Sequence, residues 1–572
     1  MMKISKLIAA SNFVILVYVV LCAQQPAPTP KKPDEPVTGV IDGKVVTESG
    51  QPLPGASVLV RAVNSTGTGR STTSDVDGNF RVTGLEPALY TINANALIYT
   101  TPLPSDPLTP TYYRIGETVR LEMVRGGAIT GTVTNSLGEP VVAVRVRATM
   151  IRDAQGAIPK ILSFGLTEQP TDDRGIYRIY GLRPGTYIVS AGGTGFAPSF
   201  NPYESDVPTF APSSTRDTAA EVVVRSGEDS TIDIRYRGEP GHTISGTVKL
   251  ATGTQGASIS LTQAGSTVPF ANSFQPETAR GFSFNGLSDG DYDVVAQEVA
   301  VSPASATIPV FSVSEPKRVS VKGADVSGIE LSTRPLSSIS GKIALEPTKE
   351  PECQGKRPPL FAETIVRLQR PEKETDKEDL LVLRFISGSA SPDATGAFQL
   401  RNIIPGKYQF EPRFYARYWY LQSITTTNGT PKPQRFDAAA NWTTVKSGEQ
   451  VSNLTITLAQ GAASIRGRVV VPEGAAAAPA TSLYLVPAEP DKANDVLRYF
   501  MSDIGDDQTF TFNNLPPGRY FTYLDTRTTT LTKFRQPEAA PDRLKVRKSA
   551  ETKKNEVELK PCQNLADYQL KQ

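Results

Sequence analysis

The sequence runs to 572 residues, 39% of them hydrophobic and 21% charged, with a formal net charge of +2 and a pI near 8.2. At roughly 100–200 residues per domain that length excludes a single core, and the near-balanced charge excludes the clustered basic field that nucleic-acid binding requires. The 45 glycines and 46 prolines, set among Thr/Val/Tyr-rich runs, speak against long helices, whose interiors both residues penalise, and predict an all-β chain.

At the start, Lys3 and Lys6 precede an apolar stretch from Leu7 to Leu21, and Leu21-Cys22-Ala23 offers a small residue before Gln24. Residues 1–23 therefore read as an export signal, with the mature chain beginning near Gln24. Retention as an anchor is the alternative, although Ser11 and Asn12 interrupt the stretch and it falls short of the ~20 residues needed to span. Membrane contact is expected only if this segment is retained or Cys22 is lipidated, and Leu21 is larger than the residue a lipidation site wants before its cysteine. Residues 24–38 (QQPAPTPKKPDEPVT) form a Pro-rich linker.

Five strand openings follow, each a β-branched residue, any residue, glycine, any residue and a β-branched residue: Ile41/Gly43/Val45, Ile129/Gly131/Val133, Ile244/Gly246/Val248, Ile339/Gly341/Ile343 and Ile465/Gly467/Val469. Each leads to an apolar anchor, respectively Leu85, Leu182, Leu287, Ile403 and Leu515. Five residues before each anchor stands an aromatic (Phe80, Tyr177, Phe282, Phe398, Phe510), and five after it a tyrosine (Tyr90, Tyr187, Tyr292, Tyr408, Tyr520). A turn lies between anchor and tyrosine: Pro87-Ala88, Pro184-Gly185, Asp289-Gly290, Pro405-Gly406 or Pro517-Gly518. This pattern predicts an antiparallel strand, a turn and a second strand facing one core, with each tyrosine hydroxyl bonded to nearby backbone.

An alternating strand closes each repeat, at Val119-Met123, Ile232-Ile234, Ile329-Leu331, Leu454-Leu458 and Val557-Leu559. Openings 88 to 126 residues apart suit complete sandwiches of about 100 residues rather than a solenoid. The expectation is five β-sandwiches at 39–125, 126–239, 240–335, 336–461 and 462–563, with a C-terminal tail at 564–572, in an elongated array of immunoglobulin-like or prealbumin-like modules. Repeat three departs from the pattern, because Arg280 stands where the turn glycine is expected and Gly281 is displaced by one.

Several residue types invite a chemical reading. Asp75-Val-Asp77-Gly78-Asn79 is rich in oxygens, yet a calcium loop needs further ligands and a terminal bidentate glutamate. Asp75, Asp172, Asp173, Asp393, Asp506 and Asp507 read instead as residues that bond their own turns. Phe414-Tyr-Ala-Arg-Tyr-Trp-Tyr420, taken as a strand, places Tyr415, Arg417 and Trp419 on one face, a candidate platform for ligand stacking, with packing against a neighbouring loop as the alternative. Trp442 carries the same two readings. The basic segment Arg543 to Lys560 reads as the solvated face of two strands, with a weak anionic contact as the alternative. Cys353 and Cys562 form a candidate disulfide in an oxidising compartment.

With ITGTVTNSLGEPV and TDDRGIYRIYGLRPGTY as examples, the repeats resemble the carboxypeptidase regulatory-like, or transthyretin-like, β-sandwich domains that occur in tandem in bacterial envelope proteins. The segments PTFAPSSTRDTAAEVVVRSGE and VKSGEQVSNLTITLAQGAASIRGRV resemble multi-module proteins of the acidobacterial type. The broader group is classed as having a carbohydrate-binding-like fold, so the resemblance implies a glycan or an envelope protein as partner, in the periplasm, at the cell surface or secreted. It implies no cofactor. Zinc peptidase chemistry needs two histidines and a carboxylate, and this chain has only His242, so a non-catalytic binding or spacer protein is expected. A purely structural element of an envelope assembly is the alternative, and a hydrolase a remote one.

Overall fold

The computed structural model describes residues 38–571 apart from 64–68, 103–110, 159–167, 195–201, 251–253, 265–270, 277–279, 301–309, 372–387, 428–434, 471–481, 506 and 526–530. Residues 1–23, expected as an export signal, and all but the last of the residues expected as a linker lie outside the described residues. The chain is built of β-sandwiches in tandem, and one strand plan occurs at each of the five openings.

In the first sheet, the opening strand lies between an antiparallel strand that carries the aromatic and a parallel closing strand. In repeat one, Gly39–Thr47 is flanked by Asn79–Leu85 and Thr118–Arg125. The same arrangement sets Gly127–Thr134 between Ile176–Leu182 and the short strands Asp229–Thr231 and Ile234–Arg235. It recurs for His242–Lys249, Ser337–Glu346 and Ala463–Val470, whose closing strands are Val326–Pro335, Gln450–Gln460 and Asn564–Lys571. In the second sheet, the strand after the opening pairs antiparallel with the tyrosine strand, as in Ser57–Ala62 with Tyr90–Asn95 and Ser482–Pro487 with Gly518–Asp525. In repeat three, Val310–Ser314 joins the two sheets at one edge.

The opening glycine has a steric cause. Gly43, Gly131, Gly246, Gly341 and Gly467 stand opposite Phe80, Tyr177, Phe282, Phe398 and Phe510 in the antiparallel register. A Cβ on Gly131, Gly246 or Gly467 would come within 1.9, 2.0 or 2.1 Å of the carbonyl oxygen of Ile232, Ile329 or Tyr568 on the closing strand. On Gly43 or Gly341 it would strike the ring of Phe80 at 2.4 Å or of Phe398 at 2.6 Å. Glycine thus admits the parallel strand on one side and the aromatic ring across it.

Two backbone devices fix the aromatic strand. The N–H of Val45, Val133, Val248, Ile343 and Val469 donates to the carbonyl of Gly78, Gly175, Arg280, Gly396 and Gln508, at 2.8–2.9 Å. Arg280 and Gln508 therefore accept the bond that glycine accepts in repeats one, two and four, and repeat three keeps the register despite its changed turn. Just before each anchor, Gly84, Gly181, Gly286, Asn402 and Asn514 are left-handed, with φ between 57° and 70°, and the register shifts there as a bulge. Glycine and asparagine are the residues that reach this region at least cost.

The tyrosines lock the chain after the turn. Their hydroxyls donate to the carbonyl four residues earlier: Tyr90 to Glu86 at 2.7 Å, Tyr187 to Arg183 at 2.9 Å, Tyr292 to Ser288 at 2.9 Å, Tyr408 to Ile404 at 2.7 Å and Tyr520 to Pro516 at 2.8 Å. Burial raises the hydroxyls of Tyr90, Tyr187, Tyr292 and Tyr520 above the ordinary range, which keeps them protonated donors. The anchors and these tyrosines fill one apolar cluster per repeat.

The structure corrects two expectations at the C-terminal end. Residues 564–572, expected as a tail, hold the strand Asn564–Lys571, which is the parallel closing strand of its repeat, whereas Val557-Leu559 pairs with the tyrosine strand in the second sheet. The basic segment from Arg543 is helical over most of its length. Helix α1 spans Leu531–Arg535 and α2 spans Ala540–Lys553, with proline in the first turn and left-handed Lys554 at its end. Val546 and Ala550, four apart, are buried with Phe534 against Tyr484 of the second sheet and Tyr499 just before its edge strand, while Leu544 is 48% exposed. The Leu544/Val546 alternation therefore lies within one turn of a largely polar helix that buries Val546 and leaves Leu544 outside.

Replacing Tyr408 with Phe leaves the buried Ile404 carbonyl without its donor, which costs about 1–3 kcal/mol. Calorimetry of the full chain is expected to show one unfolding transition displaced to lower temperature, and an unchanged scan would remove the hydroxyl bond from the stability of the fold.

Candidate functional site

The seven-residue aromatic run is not one strand. Gly406–Arg413 ends before it, residues 414–418 turn, and Trp419–Thr427 begins a strand in the other sheet. This crossing breaks the alternation on which the stacking platform depended. Trp419 is 3% exposed and lies in the core of repeat four, with Phe414 and Tyr418 packed against the same cluster. Arg417 is exposed, and its guanidinium lies 5.9 Å from the Tyr418 ring. Tyr415 is 38% exposed and stacks under Arg114 of repeat one, 4.3 Å from guanidinium carbon to ring centre. Tyr415, Arg417 and Trp419 therefore do not form a common surface. The turn was hidden because its residues share the strand's aromatic composition.

Asp75, Asp172, Asp393 and Asp507 cap their own turns, whereas Asp173 makes no such bond among the described residues and Asp506 lies outside them. Asp75 Oδ1 accepts from the N–H of Asp77 and Asn79, Asp172 Oδ1 from Arg174 and Ile176, Asp393 Oδ1 from Thr395 and Ala397, and Asp507 Oδ1 from Thr509. These bonds hold the Asp172, Asp393 and Asp507 carboxyls below their ordinary range. His242 is the first residue of its strand, 3.6 Å from Asp289 and 3.8 Å from Asp325. Among the described residues, no group of three or more histidine, cysteine, aspartate or glutamate side chains is placed to hold a metal ion.

The most elaborate geometry lies at the junctions between repeats, and the left-handed residue before each anchor recurs there. Asn514 donates to the carbonyls of Ala416 and Trp419 in repeat four, both at 2.7 Å. Asn402 accepts from the N–H of Phe311 in repeat three at 3.0 Å. At Gly286 of repeat three backbone comes close instead: a Cβ there would lie 2.5 Å from the carbonyl oxygens of Glu204 and Asp206 in repeat two. In repeats three, four and five this one structural position thus meets the preceding repeat.

Repeats four and five are joined most extensively. Cys353 and Cys562 are disulfide-bonded, 209 residues apart in sequence, with Cα atoms 5.5 Å apart. Gln460 Nε2 donates to the Cys353 carbonyl, and the Cys562 N–H donates to Gly461. Val496 and Leu497 of repeat five enter the core of repeat four, and Trp442 Nε1 donates to Glu538 Oε1 beyond α1 at 2.7 Å. Trp442 therefore serves the junction. Arg535 of α1 donates to the Tyr499 carbonyl and lies near Glu411 of repeat four, and burial lowers its guanidinium to about 10.

These strand registers, with the glycine under the aromatic and the tyrosine closing the turn, coincide with a family pattern at the start of the chain. Residues 40–106 match the carboxypeptidase regulatory-like domain. No curated protein matches the chain. Among solved structures, the minor pilin GBS52 of Streptococcus agalactiae is 12% identical over 35% of this chain and 96% of its own, with a TM-score of 0.19. Two B repeat units of the collagen-binding protein of Staphylococcus aureus are 12% identical over 74% and 100%, with a TM-score of 0.13. The Bacillus anthracis TIE protein is 11% identical over 75% and 76%, with a TM-score of 0.14. Scores this low carry no argument about this chain, whereas the regulatory-like match agrees with the strand plan that recurs after residue 106.

The buried indole of Trp419 makes no hydrogen bond through Nε1 among the described residues, so its worth lies in its volume. Trp419→Phe is expected to cost about 1 kcal/mol or less and Trp419→Ala about 3–5 kcal/mol in unfolding free energy. Equal losses for both variants would show that the N–H, not the packing, matters.

Proposed function

We propose that this chain is an exported, non-catalytic spacer whose five sandwiches, divided near residues 125, 239, 335 and 461, hold binding loops in fixed relation to one another for protein partners of the cell envelope. The observation that carries this reading is the junction between repeats four and five. There a disulfide, a shared core and the two hydrogen bonds of Asn514 convert two sandwiches into one body. A flexible tether needs none of these, since isolated domains on polar linkers move freely. The regulatory-like match of the first repeat supports a supporting rather than a catalytic role, although a fold does not fix a function. A glycan role draws support from the resemblance alone, because its candidate platform is dispersed by the turn at residues 414–418.

Export and the disulfide stand together in this reading, because a disulfide persists where the surroundings are oxidising. The chain expressed in a bacterial host with its own leader is expected outside the cytoplasm, with Cys353 and Cys562 unreactive to a thiol reagent until reduced. Recovery in the cytoplasm with two reactive thiols would overturn it.

A further inference from the structure

Repeat one differs from the other four in the turn between its anchor and its tyrosine. The two residues before the tyrosine are Gly185-Thr186, Gly290-Asp291, Gly406-Lys407 and Gly518-Arg519 in repeats two to five, but Ala88-Leu89 in repeat one. The second of these positions points away from the core that the tyrosine enters, because side chains alternate along the strand. Polar residues suit it, and Asp291, Lys407 and Arg519 are exposed. Leu89 is 1% exposed and yet is absent from the core cluster of its own repeat.

The same turn touches repeat four. The Leu89 N–H donates to the Ala362 carbonyl at 3.2 Å, across a large separation in sequence. Beside it, Arg114 stacks on Tyr415 at 4.3 Å while its Nε is held by Glu117 Oε1 at 2.9 Å, and the Tyr112 hydroxyl lies 3.5 Å from Ser389 Oγ. Burial, followed by the Glu117 charge, raises the Tyr415 hydroxyl above its ordinary range. The repeats are therefore not joined only head to tail, as an elongated array would be.

We propose that Ala88-Leu89 and Arg114 form a clasp by which repeat one docks on repeat four of the same chain, covering Tyr415. Leucine replaces the polar residue of the other repeats because this turn faces protein and not water. Arg114 is pre-positioned by Glu117 and so loses little side-chain freedom on stacking. The contact is small beside the disulfide-linked junction of repeats four and five, so it opens before that junction does. Opening it uncovers Leu89 and Tyr415 together.

Hydrogen exchange on the full, oxidised chain tests this. In the wild type, the Leu89 amide is expected to exchange slowly, at a rate independent of protein concentration. Tyr415→Ala, made in repeat four, and Arg114→Ala, made in repeat one, are each expected to speed exchange at Leu89 by about five- to tenfold, the factor a partly desolvated cation–π contact contributes, and to leave the amide of Tyr187 in repeat two unchanged. Small-angle scattering of Leu89→Asp is expected to show a larger maximum dimension than wild type. Loop-like exchange of Leu89 in the wild type would overturn the proposal, as would exchange unaffected by Tyr415→Ala. Protection that grows with concentration would also overturn it, since the contact would then lie between copies.

Discussion

The hydrogen bond from a buried tyrosine hydroxyl to the carbonyl four residues before it is the constraint on which each sandwich depends. At this point the chain leaves the first sheet and enters the second, and a crossing of that kind leaves backbone carbonyls near the core without a ladder partner. The tyrosine satisfies one such carbonyl and buries its ring in the same act, so the turn cannot open without exposing an aromatic and orphaning an acceptor. Its position also fixes the second sheet, because the strand after the opening pairs with the strand that this tyrosine begins.

The opening glycine and the aromatic opposite it complete the frame from the other side. A parallel pairing between opening and closing strand needs the intervening chain to travel through the second sheet and return, and the close approach at the glycine sets how far the closing strand can come. The interior is therefore similar in all repeats while their outer faces differ. Repeat five shows how far this freedom extends, with α1 and α2 covering the outer face of its second sheet through Phe534, Val546 and Ala550.

The frame was legible in the sequence because it rests on residues with few substitutes: glycine where a Cβ would meet a carbonyl, an aromatic across from it, and a tyrosine for its hydroxyl. The features that were not legible depend on tertiary context. Residues 414–418 look like a strand in composition, and only the demand that Trp419 enter the core turns the chain there. Val546 and Ala550 carried a helical spacing, but two alternating apolar residues masked it. Val557-Leu559 has the alternation of a closing strand and belongs to the second sheet, a choice made by pairing and not by pattern. The left-handed Asn402 and Asn514 stood in plain view just before their anchors, and a junction role for them required a second repeat to be present.

That last position explains how repeats with the same interior come to have different neighbours. The bulge before the anchor needs a residue that tolerates positive φ, which narrows the choice to glycine and asparagine at little cost to the fold. The two choices are not equivalent towards an adjoining sandwich. Glycine lets backbone approach within contact, as at Gly286, while asparagine reaches out and bonds it, as at Asn402 and Asn514. A position that the fold already restricts thus becomes a place where repeats three, four and five meet the one before, through close backbone at Gly286 and through side-chain hydrogen bonds at Asn402 and Asn514. The disulfide lies at the junction where that grip is strongest, which places the stiffest joint between repeats four and five.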